Sequence, residues 1–119
     1  MDMLTQGQVA VMNSGESVVL DCEFFTEYFN LFDNPVLWIK TQREEQTQVN
    51  IMGNIVDPFV STGRFEVTLE RTHPRYRLKL EIKDLALEDS GNYTCEVRGK
   101  RSSLLGVVTH YIFVRGKLM

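Results

Sequence analysis

Apolar and polar residues alternate along most of this chain. The pattern is clearest at residues 76–82, Tyr-Arg-Leu-Lys-Leu-Glu-Ile, and it recurs at residues 18–24, which place Cys22 on the apolar side. A period of two is typical of strands with one buried and one solvated face. Further strands are predicted at 6–12, 36–41, 48–51, 63–69, 92–98 and 107–115. We therefore expect an all-β fold.

The connection at residues 25–35 is unusually aromatic. It contains Phe25, Tyr28, Phe29 and Phe32 before the chain breaks at Asn34-Pro35. One interpretation is that these rings close one end of the domain, and the cost of exposing an aromatic cluster favours it. The other interpretation is a binding loop, which would work together with the turn region at 99–105.

Length and composition predict one globular domain at residues 5–115. The chain has 119 residues, 43% of them hydrophobic, and a formal net charge of -3, a balance that argues against nucleic-acid binding. No apolar run reaches the length of a membrane span. We expect residues 1–4 and 116–119 to be linker ends, Met1-Asp2-Met3 to stand in place of a removed secretion signal, and any membrane anchor to lie outside this chain.

Three landmarks identify a known architecture. They are Cys22, Trp38 in Val-Leu-Trp-Ile-Lys, and the run Asp-Ser-Gly-Asn-Tyr-Thr-Cys that ends at Cys95. In this order they resemble the immunoglobulin superfamily, and the resemblance covers about residues 5–115. It implies an antiparallel β-sandwich with Greek-key connections and a tyrosine corner at Tyr93. The long stretch between Trp38 and Cys95 favours the V-type, with strand C′ and a short C″ near residues 53–58, over an intermediate type without C″.

The resemblance also implies an inter-sheet disulfide between Cys22 and Cys95. The two histidines do not fall at metal-binding spacings from these cysteines, so no metal or other cofactor is expected. A bridge that closes so long a loop is worth on the order of 4 kcal/mol. It favours an oxidising compartment, and hence an extracellular or cell-surface protein. The alternative is an intracellular structural module of the same fold with reduced thiols.

Two charged residues match the V-type pattern at the lower end of the sandwich. The resemblance implies a salt bridge between Arg64, which heads strand D, and Asp89, which precedes strand F; Lys40 is expected to join this cluster. We interpret Trp38, Tyr93, Arg64 and Asp89 as structural residues. No nucleophile motif, phosphate loop or dinucleotide fingerprint occurs, so an enzyme with a small-molecule substrate is not expected. His110 and His73 are interpreted as structural.

The residue alternation predicts a binding face. Because Trp38, Tyr93 and Cys95 must point inward, their strand neighbours point outward. Strands C, F, G and C′ then present an apolar patch with a charged rim, which is the anatomy of a protein interface. The apolar members of this predicted binding face are Leu37, Ile39, Tyr111, Phe113 and Ile51, and Val49 is a further candidate. Glu96 and Arg98 belong to its charged rim, together with Glu44, Glu45, Lys100 and Arg101. In the alternative register of strand G, Tyr111 and Phe113 would face the core.

The predicted function is cell adhesion or recognition by this C–F–G–C′ face, with the same chain or a related immunoglobulin domain as partner. Motifs around Arg64-Phe65 and residues 88–95 resemble the first domains of neural cell-adhesion proteins such as the lachesin group. Glu44 and Glu45 could meet Lys100 and Arg101 across a two-fold homodimer. Asn92 in Asn-Tyr-Thr is a candidate N-glycosylation site of a glycoprotein. The alternatives are a receptor that binds ligand through its loop tips, and the intracellular module.

Overall fold

The computed structural model describes residues 1–30 and 34–116, without the side chain of Ser102. Leu31 and Phe32 of the aromatic connection, and residues 117–119, lie outside the described residues. Eleven strands are found in the described part of the chain: β1 (Asp2–Met3), β2 (Val9–Asn13), β3 (Val18–Phe25), β4 (Val36–Gln42), β5 (Glu45–Gln48), β6 (Asn50–Ile51), β7 (Asn54–Ile55), β8 (Phe65–Thr72), β9 (Arg75–Ile82), β10 (Gly91–Arg98) and β11 (Leu104–Arg115). Short 3₁₀ helices lie at Val60–Thr62, Leu87–Asp89 and Lys100–Ser102.

Two sheets form a sandwich. One has the order β1-β3-β9-β8 and the other the order β2-β11-β10-β4-β5, while β6 and β7 pair with each other as a small ribbon. All strand pairs are antiparallel except β2 with β11, which are parallel. The all-β sandwich prediction is confirmed.

The core lies between the sheets and contains the alternating apolar residues of both. Trp38, Phe24 and Tyr93 are its largest fully buried side chains. Cys22 of β3 and Cys95 of β10 join the sheets through a disulfide with a Cα–Cα distance of 6.2 Å. The predicted bridge is therefore confirmed.

The predicted bounds of strand C′ were wrong. Strand C′ was predicted at 48–51, but β5 occupies Glu45–Gln48. The reason is a two-residue hairpin turn at Arg43-Glu44, where both residues have positive φ, so the return strand begins at Glu45 opposite Gln42. This shift sends Val49 into the core with no exposure, which corrects the prediction that Val49 lies on the outward face.

The N-terminus also differs from the prediction. Asp2 and Met3 pair with Phe25 and Phe24 of β3, so this part of the predicted linker 1–4 belongs to the sandwich. The chain then crosses to the other sheet at Gly7, where a Cβ atom would lie only 2.3 Å from the carbonyl oxygen of Thr109. The predicted strand 6–12 consequently begins at Val9, beyond the crossing.

A candidate protein-binding face

The outward surface of the five-stranded sheet, here called the outer face, is centred on β10. Its backbone register places β10 between β4 and β11, so that outward side chains form rows across three strands. These rows are Leu37–Glu96–Val107, Ile39–Thr94–Thr109 and Thr41–Asn92–Tyr111. Side chains in one row are neighbours on the surface of the sheet.

Strand β11 supplies the exposed aromatic residues. Tyr111 and Phe113 are 48% and 59% exposed, whereas Ile112 and Val114 between and beyond them are buried. The alternative register, in which Tyr111 and Phe113 face the core, is therefore wrong. Leu37 and Ile39 of β4 are half-buried on the same side.

Strand β2 extends this apolar surface in a way that the sequence did not predict. Val9 lies beside Tyr111 and Val11 beside Phe113 in the parallel pair, and these valines are 76% and 56% exposed. The alternation of Val-Ala-Val-Met was visible in the sequence, but the sheet that a first strand joins is a long-range property. The apolar part of the outer face is thus concentrated on β2 and β11.

The centre of the outer face is polar. The hydroxyls of Thr94 and Thr109 are hydrogen-bonded at 2.9 Å. Arg98 donates to the carboxylate of Glu96 through Nε at 3.0 Å. This pair neutralises both charges within the face, so Arg98 contributes less to the basic rim than the sequence indicated.

The outer face and its rim otherwise hold the predicted residues, with one exception. Glu44, Lys100 and Arg101 are exposed in the turns at the ends of the strands, and Glu45 is exposed at the start of β5. Ile51 is 55% exposed, but it belongs to the β6–β7 ribbon and not to the five-stranded sheet. The side chain of Asn50 causes this departure, because its Oδ1 accepts from the backbone N–H of Trp38 at 2.7 Å and its Nδ2 donates to the carbonyl of Val36 at 3.2 Å.

Asn92 of the sequon lies half-buried on the outer face. Its neighbours in the row are Thr41 and Tyr111. A sugar on Asn92 would therefore stand within the outer face, between Thr41 and Tyr111.

The aromatic residues Phe29 and Tyr28 of the predicted loop tip differ in their burial. Phe29 packs against Phe24 and Tyr76, with ring centroids 5.5 and 4.4 Å away, which is the arrangement expected of a ring that closes the end of the sandwich. Tyr28 is 89% exposed. In the described part of this connection, one ring is thus structural and another is free for contacts.

The charged cluster at the lower end holds the sandwich together. Arg64 donates to both carboxylate oxygens of Asp89, at 2.6 and 3.1 Å, and this hydrogen bonding raises the pKa of the Arg64 guanidinium. Asp89 is 2% exposed, and it also accepts from the backbone N–H of Ala86 at 2.8 Å. The same turn receives a bond from Lys40 Nζ to the carbonyl of Glu88 at 2.5 Å. Burial lowers the pKa of Lys40, although Asp89 and Glu88 oppose that effect.

The tyrosine corner completes this end. The Tyr93 hydroxyl donates to the backbone carbonyl of Asp89 at 2.7 Å. Burial raises the pKa of Tyr93, and the negative charge of Asp89 adds to the rise. These residues form a structural connection between the 3₁₀ turn at 87–89 and β10.

Among the described residues, no cluster of three or more histidine, cysteine, aspartate or glutamate side chains could hold a metal ion. Nor does this part of the chain contain a helix with the length and apolarity needed to cross a bilayer.

Taken together, the bridged two-sheet sandwich, the tyrosine corner and the exposed face define an immunoglobulin-type binding domain. The family model for the immunoglobulin V-set domain matches residues 6–110. The chain belongs to this family, whose members are in general non-enzymatic modules that bind other proteins. No curated protein matches the chain in a sequence search.

Proposed function

We propose that this chain is an extracellular recognition domain of an adhesion or receptor protein, and that it binds a protein partner through the outer face. The observation that carries the proposal is the row of exposed apolar side chains on two adjacent strands, in which Val9 and Val11 flank Tyr111 and Phe113. Aromatic and aliphatic residues in contact on one sheet face, with charged turns at the ends, match the composition of protein interfaces.

The partner that fits best is a second copy of the domain or a related immunoglobulin domain. The acidic residues Glu44 and Glu45, at and just after the β4–β5 turn, and the basic residues Lys100 and Arg101, in the β10–β11 turn, lie at opposite ends of the outer face. Two such faces related by a two-fold axis that runs across the strands would bring unlike charges together. Adhesion of the kind found in neural cell-surface proteins is consistent with this partner. The disulfide favours an oxidising compartment, and hence the extracellular location.

Lysine substitutions test the outer face. Leu37→Lys and Phe113→Lys each place a charge in the proposed interface, and Glu96 opposite Leu37 favours folding of the first variant. The matched control is Val19→Lys, which replaces a 48% exposed valine on the other sheet, opposite Glu81. At micromolar concentration, we expect both face variants to lose dimerisation or cell aggregation in sedimentation and bead assays while Val19→Lys keeps it. Loss in all three, or in none, would contradict the outer-face proposal.

The proposal that the partner is a second copy of this domain has its own test. Reversal of Glu44 and Glu45 to lysine should weaken self-association, and combining it with Lys100→Glu and Arg101→Glu should restore it. A dimer that is insensitive to the first pair of changes excludes the two-fold charge pairing but leaves binding to another immunoglobulin domain open to measurement.

The second candidate is ligand binding by the loop tips, and the exposure of Tyr28 favours it. Tyr28→Ala would then abolish partner binding while Leu37→Lys would not. We rank this candidate below the outer face because the neighbouring Phe29 is engaged in the core and the exposed apolar surface lies on the sheet.

A further inference from the structure

The open edge of β2 has hydrogen-bonding groups that no described strand uses. In the parallel pair with β11, the backbone N–H of Tyr111 donates to the carbonyl of Gln8 and the N–H of Ser14 donates to the carbonyl of Arg115. Together with the register, this pattern assigns the β11-facing groups to residues 8, 10, 12 and 14. The N–H and C=O groups of Val9 and Val11 therefore point to the open edge.

This edge lacks the protection found at the edges of the opposite sheet. Edge strands are ordinarily guarded by charges, proline or short length. On the opposite sheet β8 carries Glu66, Glu70 and Arg71, and β1 has only two residues. By contrast, residues 6–13, Gln-Gly-Gln-Val-Ala-Val-Met-Asn, contain no charge and no proline.

The unpaired edge of β2 is bounded at both ends. The backbone N–H of Asn13 donates to the carboxylate of Glu16 at 2.6 Å, so pairing cannot extend past it. On the other side the chain turns against Thr109 at Gly7. A partner strand would thus find a short, defined site around Val9 to Val11.

We propose that the β2 edge pairs with the same edge of a second copy of this chain, antiparallel and with Ala10 on the two-fold axis. Val9 then lies opposite Val11 of the second copy, and each of the two such pairs exchanges both of its N–H···O bonds, giving four bonds. The backbone N–H and C=O groups of Ala10 point to β11 in each copy. The central pair of the dimer, Ala10 opposite Ala10, is therefore a non-hydrogen-bonded pair, as this register requires. The geometry is self-complementary without any change in either domain.

This pairing orients the outer faces in a particular way. A two-fold axis perpendicular to the sheet joins two five-stranded sheets into one, so both outer faces point in the same direction. The edge dimer would present two copies of the outer face side by side to a partner. Because a single short strand pair buries little surface, the association is weak in solution and gains importance where copies are concentrated, as on a membrane.

The experiment uses Leu37→Lys as background, which closes the outer face and leaves the β2 edge intact. Sedimentation velocity up to millimolar concentration should show a concentration-dependent dimer. Adding Val9→Lys with Val11→Lys places like charges opposite each other and should weaken the dimer by at least about tenfold. Val9→Lys with Val11→Glu places unlike charges opposite each other in the same register and should restore it. Thermal unfolding of both double variants checks that they fold.

A second measurement tests the register without charge changes. An equimolar mixture of Val9→Cys and Val11→Cys chains should form a mixed disulfide dimer faster than either variant forms its own dimer, because only positions 9 and 11 lie opposite each other. A background variant that stays monomeric at millimolar concentration, a charge-paired variant no better than the all-lysine one, or equal cross-linking of all cysteine combinations overturns the edge proposal. Because Val9 and Val11 also lie on the outer face, the lysine pair alone would weaken outer-face binding too, so the restoration by unlike charges and the mixed disulfide are the results that report the edge register.

Discussion

Asn92 lies directly opposite Tyr111 on the paired strands β10 and β11. Both side chains point out of the sandwich, and Asn92 is the acceptor of the Asn-Tyr-Thr sequon. A glycan here and a partner on the outer face would compete for the same space. The structure thereby connects a candidate modification site with the proposed binding site.

If Asn92 is glycosylated in secretory cells, removing the sequon should strengthen partner binding. Asn92→Gln abolishes the sequon, whereas the control Thr94→Ser retains it. We expect tighter binding by Asn92→Gln than by the glycosylated parent, measured by surface plasmon resonance, with Thr94→Ser resembling the parent. Equal binding of a fully glycosylated domain and Asn92→Gln would place the partner elsewhere.

The ion pair between Arg64 and Asp89 should contribute more to stability than any exposed pair. Arg64→Ala leaves a 2% exposed carboxylate without its partner, and we expect a loss of about 3 kcal/mol in urea unfolding. The control is Arg77→Ala, which removes a pair with Asp21 whose side chains are 36% and 38% exposed; this change should cost about 1 kcal/mol or less. Similar losses in both variants would show that burial of Asp89 does not govern the energy.

Alternation in the sequence predicted the outward residues of β10 because Tyr93 and Cys95 fix the inward ones. For β11 it left two registers open, and the burial of Ile112 and Val114 decides between them. It failed where a contact is not local. The partner of β2 is set by the crossing at Gly7, which brings Val9 beside Tyr111. In the same way, the sequence placed Val49 on the outward face of strand C′, yet Val49 is buried, because the chain leaves the ladder at Asn50, whose amide bonds to the backbone of Trp38 and Val36.

Tyr93 should make the domain sensitive to alkaline pH. Its pKa is raised in the folded state by burial, so above about pH 10, the ordinary tyrosine pKa, the unfolded chain loses this proton while the folded chain keeps it. Stability from this residue is fully present below that pH and decreases above it. Tyr93→Phe should therefore flatten the decline in stability at alkaline pH. At neutral pH it should lower the free energy of unfolding by about 1 kcal/mol, because the hydrogen bond to Asp89 is lost.

Unfolding curves of the parent and of Tyr93→Phe between neutral and strongly alkaline pH check this expectation. Tyr111→Phe is the control, because Tyr111 is exposed and should leave the slope unchanged. An unaltered alkaline slope in Tyr93→Phe would assign the decline to other groups.

The disulfide should supply a large share of the stability. Replacing Cys22 and Cys95 together by alanine should cost on the order of 4 kcal/mol, since the bridge spans a sequence separation of 73. Reduction of the parent under denaturing conditions, followed by refolding with reductant, should show a comparable loss. Stability that does not change on reduction would favour the intracellular module over the extracellular domain.

His110 should hold both sheets and the start of β2 in place. It is 3% exposed; its Nε2 donates to the carbonyl of Asp21 in β3 at 2.8 Å, and its Nδ1 accepts from the backbone N–H of Gln8 at 3.2 Å. These partners require the neutral ring with its proton on Nε2, because a carbonyl can only accept and an N–H can only donate. His110→Phe keeps the ring volume but leaves both backbone groups unpaired, which should cost about 2 kcal/mol or more. Hydrogen exchange should accelerate at Gln8 and Ala10 in particular, while the exposed control His73→Phe leaves it unchanged; equal protection in both variants would show that β2 is held by its ladder to β11 alone.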